Sequence, residues 1–102
     1  MNWQVLSRPE AENDVIEIAA WYNSRREGLG DRFVEEFLAV LDALAMNPLV
    51  YCRRHPQKNI RWRYPKSFPY RVIYEVIEQD HTVVIAAVLH AARHDREWKR
   101  RF

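Results

Sequence analysis

Apolar residues in this chain recur at helical spacing up to about residue 46 and at every second position from residue 60 onward. That change of period most restricts the fold, because it demands a helical stretch with a run of strands after it. Val15, Ile18, Ala19 and Tyr22 stand at i, i+3, i+4 and i+7, one stripe of a helix. Ser7 and Glu10 have the S-x-x-E spacing of a capping box, and Pro9 suits a first turn, where no N–H is missed. Glu12, Asp14 and Glu17 place negative charge near the positive helix start, and Arg25 and Arg26 lie near its end. Gly28 and Gly30 then break the chain, and the short connection predicts an antiparallel return. The second helix is expected from about Asp31 to Met46, with Val34, Phe37, Leu38, Leu41, Leu44 and Ala45 on its buried face, and Asn47-Pro48 stops it.

The strands follow a loop rich in Arg, His and Pro at residues 51–59. Ile60, Trp62 and Tyr64 alternate with Arg61 and Arg63, an aromatic row on one face and two guanidinium groups on the other. Pro65 to Pro69 makes a turn, Tyr70 to Ile77 a second strand, residues 78–81 another turn, and Thr82 to Leu89 an almost wholly apolar strand of the kind covered on both faces. Residues 2–7 read as a short first strand ended by Arg8-Pro9. The order is therefore β-α-α-β-β-β in a single domain, 1–102, an α+β fold with a helical hairpin on one face of a small antiparallel sheet and a short C-terminal helix or tail. The expected core includes Val15, Ile18, Tyr22, Val34, Phe37, Leu38, Leu41, Val72, Val76, Ile85 and Ala87. The hairpin covers one sheet face, and the other needs the C-terminal segment or a partner to cover it.

Charge divides along the same line. Residues 1–50 carry four Arg against nine acids, and residues 51–102 carry twelve Lys or Arg against five acids, so a formal +2 conceals halves of −5 and +7. Thirteen of the sixteen cations are Arg, the better fork for phosphate and carboxylate. Either each half has an ordinary solvated face, or the basic second half steers a polyanion or an acidic protein segment, and the excess of Arg gives weight to the second reading. The longest apolar run, Val83 to Leu89, is shorter than the ~20 residues a membrane helix needs, and no export signal is evident. A lone cysteine, Cys52, excludes an internal disulfide and fits a reducing cytoplasm.

Few catalytic patterns are available. His90 and His94 have i, i+4 spacing but no supporting acid or thiol, so no metal is expected. Ser7, Ser24 and Ser67 lack a nucleophile-elbow context, and two glycines cannot make a phosphate loop. There remain Arg61, Arg63, Arg71, His90, Arg93 and His94 at strand ends. Converging, they would bind a phosphodiester, stabilise the charge that develops when an RNA 2′-OH attacks its phosphate, and offer a His for proton transfer. Otherwise Arg71 pairs with Glu75, Arg61 and Arg63 form an exposed strand face, and His90 is a hydrogen-bonded strand end.

The ordered series Ala19-Ala20-Trp21-Tyr22, Gly28 to Phe33, Asn47-Pro48 with Tyr51, Phe68 to Val76, and Val88 to Asp95 with Trp98 resembles the RelE/ParE superfamily of type II toxins over nearly the whole chain. The resemblance implies a cytoplasmic toxin without cofactor, neutralised in a hetero-oligomer by a small cognate antitoxin. It also implies one of two targets. In the ribosome-dependent ribonuclease branch, basic residues on the second and third strands act on messenger RNA. Arg61, Arg63 and Arg71 are similar in type and position, with His90 and Arg93 completing a catalytic set. That branch also tends to carry a Tyr near its C-terminus, whereas here the last Tyr is Tyr74 and the tail offers Trp98, which is neither acid nor base. The ParE branch, which inhibits DNA gyrase and needs no chemistry of its own, looks closer through Leu89-His90, Arg93 and Asp95, and is the favoured expectation. A toxin-like domain that has lost its toxicity is the third.

Overall fold

The computed structural model describes residues 2–102. Strand β1 (Gln4–Ser7) leads into helix α1 (Pro9–Arg25), whose first turn takes Pro9. The capping box expected of Ser7 and Glu10 does not form. Ser7 is held in β1 opposite Ile85, so the cap position passes to Arg8, which makes no side-chain cap. Helix α2 (Leu29–Met46) follows after Gly28, whose φ of 86° lies in the left-handed region.

Gly30 fixes how the two helices meet. A Cβ there would lie 2.0 Å from the Ala19 carbonyl oxygen, so only glycine permits this approach. The Asn23 side chain accepts the Gly30 N–H at 2.7 Å, so one end of α1 satisfies the start of α2. With Gly30 turned towards α1, residues at i+3, i+7, i+10 and i+14 turn inward with it, and the buried stripe is Gly30, Phe33, Phe37, Val40 and Leu44. The expected stripe was rotated by about one residue. Leu38, assigned to the core, is 51% exposed, while Val34 and Leu41 are half-buried flanks of the same cluster.

The other strands are β2 (Ile60–Arg63), β3 (Tyr70–Ile77) and β4 (Thr82–His90), in the order β1-β4-β3-β2. The sheet is mixed rather than wholly antiparallel, since β1 runs parallel to β4 while the β2–β3 and β3–β4 pairs are antiparallel. Apolar period identifies a strand but not its direction. Tight turns enforce antiparallel pairing in the meander, whereas β1 reaches the rest of the sheet through the helical hairpin and is free of that constraint.

Val72, Tyr74 and Val76 with Val83, Ile85 and Val88 face the hairpin and pack on Ala11, Val15, Phe33, Phe37, Val40 and Leu44. Ile18 and Tyr22 pack against the same cluster while half-buried. The opposite face carries Ile60, Ile73 and Ala87, closed by Trp98 from the short helix α3 (Arg96–Lys99). A register shift between Ile73 and Tyr74 leaves Ala86 without a cross-strand partner, a bulge in the most buried strand.

Candidate functional site

The five predicted site residues occupy both faces of the sheet and one end of it. Arg61 and Arg63 pair across strands with Tyr74 and Val72, which places them on the hairpin side. Arg61 is committed to structure. Its Nη1 donates to the Leu49 and Tyr51 carbonyls at 3.0 and 2.5 Å, and its Nε donates to Asn59 Oδ1 at 2.9 Å, so this guanidinium ties down the loop after α2. Beneath it Tyr74 donates its hydroxyl to the Pro48 carbonyl at 2.9 Å. Burial pushes the Tyr74 phenol up to about 12, against a lowering influence of Arg61 and Arg63. Arg63 lies over the Tyr51 ring, 5.2 Å from its centroid, and makes no ion pair among the described residues.

Arg71 lies on the other face. Its guanidinium stacks 4.4 Å from the Trp62 ring centroid, and Arg54 approaches the same ring at 4.4 Å. Nε of Arg71 reaches the Tyr64 hydroxyl at 3.4 Å, and Nη1 reaches Asp95 at 3.4 Å. The partner is thus Asp95 from the segment after β4, not Glu75 four positions along the strand. Trp62 in turn meets Trp98 edge to face at 5.8 Å.

His90 and Arg93 share a third place, a cleft of about 140 Å³ lined also by Tyr70, Asp14 and Glu17. Nδ1 of His90 accepts the Ala92 N–H at 3.0 Å, and the ring stands edge-on to Tyr70 at 5.2 Å. His94 repeats the local pattern, accepting the Arg96 N–H at 3.2 Å. Residues 91–95 form turns rather than a helix, so the i, i+4 spacing of the two histidines does not put them on one helix face. Among the described residues no group of three His, Cys, Asp or Glu side chains is placed to hold a metal ion.

Sequence reasoning missed a clasp around Asp14. Its Oδ2 accepts the Val88 N–H at 2.9 Å, filling the place beside β4 that β1 vacates after Ser7. The same carboxylate grips Arg101 through two contacts of 2.6 and 3.2 Å. Hydrogen bonding to Asp14 raises the Arg101 pKa, and Nη1 of Arg101 also reaches the bulge carbonyl of Ala86 at 3.1 Å. Arg8 completes the clasp, donating to the Arg101 carbonyl at 2.6 Å and lying over the Phe102 ring at 5.4 Å. The signal was an acid inside an apolar stripe: Asp14 stands three after Ala11 and four before Ile18, where an ordinary surface helix would place an aliphatic residue.

A two-helix hairpin laid on a mixed four-strand sheet is the fold of the RelE and ParE toxins. A chromosomal ParDE system from P. aeruginosa contains a chain that superposes with a TM-score of 0.73 at 12% identity, over 86% of this chain and 95% of that one. A mutant of the E. coli toxin RelE in the free state superposes at 0.71 and 15% identity, over 99% and 94% of the two chains. The RelBE2 toxin–antitoxin complex from Mycobacterium tuberculosis gives 0.63 at 20% identity, over 88% and 99%. No curated protein sequence matches the chain. Residues 5–95 match the model of the ParE toxin of the type II toxin–antitoxin system parDE, and the chain belongs to that family.

Proposed function

We propose that this toxin acts as the ParE branch does, by binding DNA gyrase rather than by cutting RNA, and that a cognate antitoxin neutralises it in a hetero-oligomer. The observation that carries the reading is the separation of the arginines. Arg61 and Arg63 stand on the hairpin side, Arg71 stands on the reverse face, and Arg61 spends its donors on the Leu49 and Tyr51 carbonyls. Stabilising a pentacoordinate phosphate requires preorganised donors aimed at one point, and these are aimed at two sides of a sheet. His90 and Arg93 do share a cleft, but Glu17 lines it too, and its carboxylate, unlike that of Asp14, has no cationic partner among the described residues and repels a phosphodiester.

The family match to a ParE model supports the same choice. Cytoplasmic action is part of the proposal. No helix among the described residues is long and apolar enough to cross a membrane. The test uses two purified targets side by side. Inhibition of gyrase-catalysed supercoiling, with messenger RNA left intact on translating ribosomes, is the expected result. Codon-specific mRNA cleavage that is lost in Arg71→Ala would overturn the proposal and assign Arg61, Arg63, Arg71, His90 and Arg93 to a ribonuclease site.

A further inference from the structure

A cleft of about 270 Å³ opens between α2 and the outer end of β2. Ala39 and Val40 of the helix form one wall, and Tyr51, Arg63, Tyr64 and Lys66 form the other. The single acid at its rim is already satisfied. Glu36 accepts the Ser67 N–H at 2.7 Å with one oxygen and the Arg32 Nε–H at 3.3 Å with the other. Neither Arg63 nor Lys66 has an acidic partner among the described residues. The cleft therefore presents two unpaired cations, two tyrosine rings and an apolar wall.

We propose that this cleft holds an acidic segment of the antitoxin, with one aliphatic or aromatic side chain between Tyr51 and Val40 and flanking carboxylates on Arg63 and Lys66. Three features select a protein segment. The volume lies at the lower edge of the ~300–1,000 Å³ of metabolite pockets, and the cleft is open, so it suits one side chain of a longer segment. The chain leading to Tyr51 exposes Met46 (70%), Leu49 and Val50 (64%), an apolar lip that a nucleic acid strand would not cover but a peptide would. Finally, β2 is an edge strand paired only with β3; the preceding loop already bonds both backbone groups of Ile60, and the outward groups of Trp62 remain for an extended segment lying beside the cleft. Positive charge concentrated in residues 51–102 draws such a segment in.

The proposal rests on the chain having an antitoxin, and it is independent of whether gyrase or the ribosome is the target. The test measures binding of the purified cognate antitoxin to the full-length toxin and to Ala39→Phe, Lys66→Gln and Arg63→Gln, with thermal melts to establish folding. Ala39 and Lys66 are exposed, so substitutions there fill or discharge the cleft without entering the core. The expected result is an affinity loss of about tenfold or more in Ala39→Phe, and a smaller loss with weaker salt dependence in Lys66→Gln and Arg63→Gln. Wild-type binding matched by all three variants overturns the cleft assignment and leaves the antitoxin reading standing. No wild-type binding overturns both. A single-stranded uridine 12-mer whose binding falls in Lys66→Gln and Arg63→Gln, while antitoxin binding does not change, would reassign the cleft to RNA.

Discussion

The two faces of the sheet are closed by different means. On the hairpin side, helices of 17 and 18 residues lay a continuous stripe over β3 and β4, and an aromatic group of Tyr22, Phe33, Phe68 and Tyr70 packs edge to face at its end. On the reverse side a four-residue helix supplies one buried anchor, Trp98, and the Asp14–Arg101 clasp holds the tail that follows. Area distributed over many residues gives cooperative, global stability. A strap on one anchor and one ion pair has a local opening energy of its own, and the face beneath it is the one that an event in solution can uncover.

Substitution at equal depth on the two faces should therefore have unequal effects. Phe33→Ala removes a fully buried ring from the shared core, and a cost of about 3–5 kcal/mol is expected, read as a global fall in the urea midpoint. Trp98→Ala removes a larger side chain that is just as buried, yet the penalty cannot exceed the free energy of undocking the strap. A loss of about 1–3 kcal/mol is expected, with amide exchange accelerated in residues 60–63 and 96–102 and little changed in α2. Equal costs for the two variants, or exchange that rises uniformly, would abolish the distinction between the faces.

The same contrast explains what the sequence could and could not disclose. Helix period, the Gly28 break, the Asn47-Pro48 stop and the alternation from Ile60 are local signals, and the hairpin and meander stand where those signals put them. The rotation of α2 was hidden because it depends on a contact between Gly30 and Ala19, which is invisible until two helices are placed together. Strand direction at β1 was hidden for the same reason. Among the candidate site residues, alternation placed Trp62 and the pair Arg61 and Arg63 on opposite faces of β2, as found. Arg71 belongs to another strand, and only pairing register shows that it shares Trp62's face rather than theirs. The Asp14 clasp joins residues 87 apart, a separation no local pattern spans, and Trp98 is buried against Ile60, Ile73 and Ala87 from three different strands.

The clasp sharpens the comparison next. Asp14→Ala leaves the Val88 N–H and the Arg101 guanidinium without their carboxylate, and hydrogen bonds to charged groups are worth about 1.5–3 kcal/mol. Both side chains keep some contact with solvent, which moves the expectation to the lower end of that range. Asp14→Asn, which retains an acceptor for Val88, should lose less. Measured by denaturation, both variants should approach wild type more closely in high salt than in low salt. A full-sized effect that ignores salt would mean that shape rather than charge holds the strap.

The smallest effect lies on the hairpin side, at Tyr74. Its phenol is pushed up to about 12 by burial, and its hydroxyl donates to the Pro48 carbonyl. A folded-state pKa above the unfolded value near 10 means that the neutral form is favoured by folding. The associated stability is fully present below pH 10 and is lost as pH rises from about 10 through about 12. Tyr74→Phe keeps the ring and removes the hydroxyl, at an expected cost of about 0.5–1.5 kcal/mol near neutral pH. Between pH 10 and 11.5 the wild type should lose stability more steeply than Tyr74→Phe, so the gap between them should narrow in urea titrations at successive pH values. Because Tyr74 lies under the loop that Arg61 ties down, the variant should also loosen residues 47–51 in amide exchange while leaving the Trp98 strap untouched. Protection lost at the strap instead would show that the two faces are coupled through the sheet.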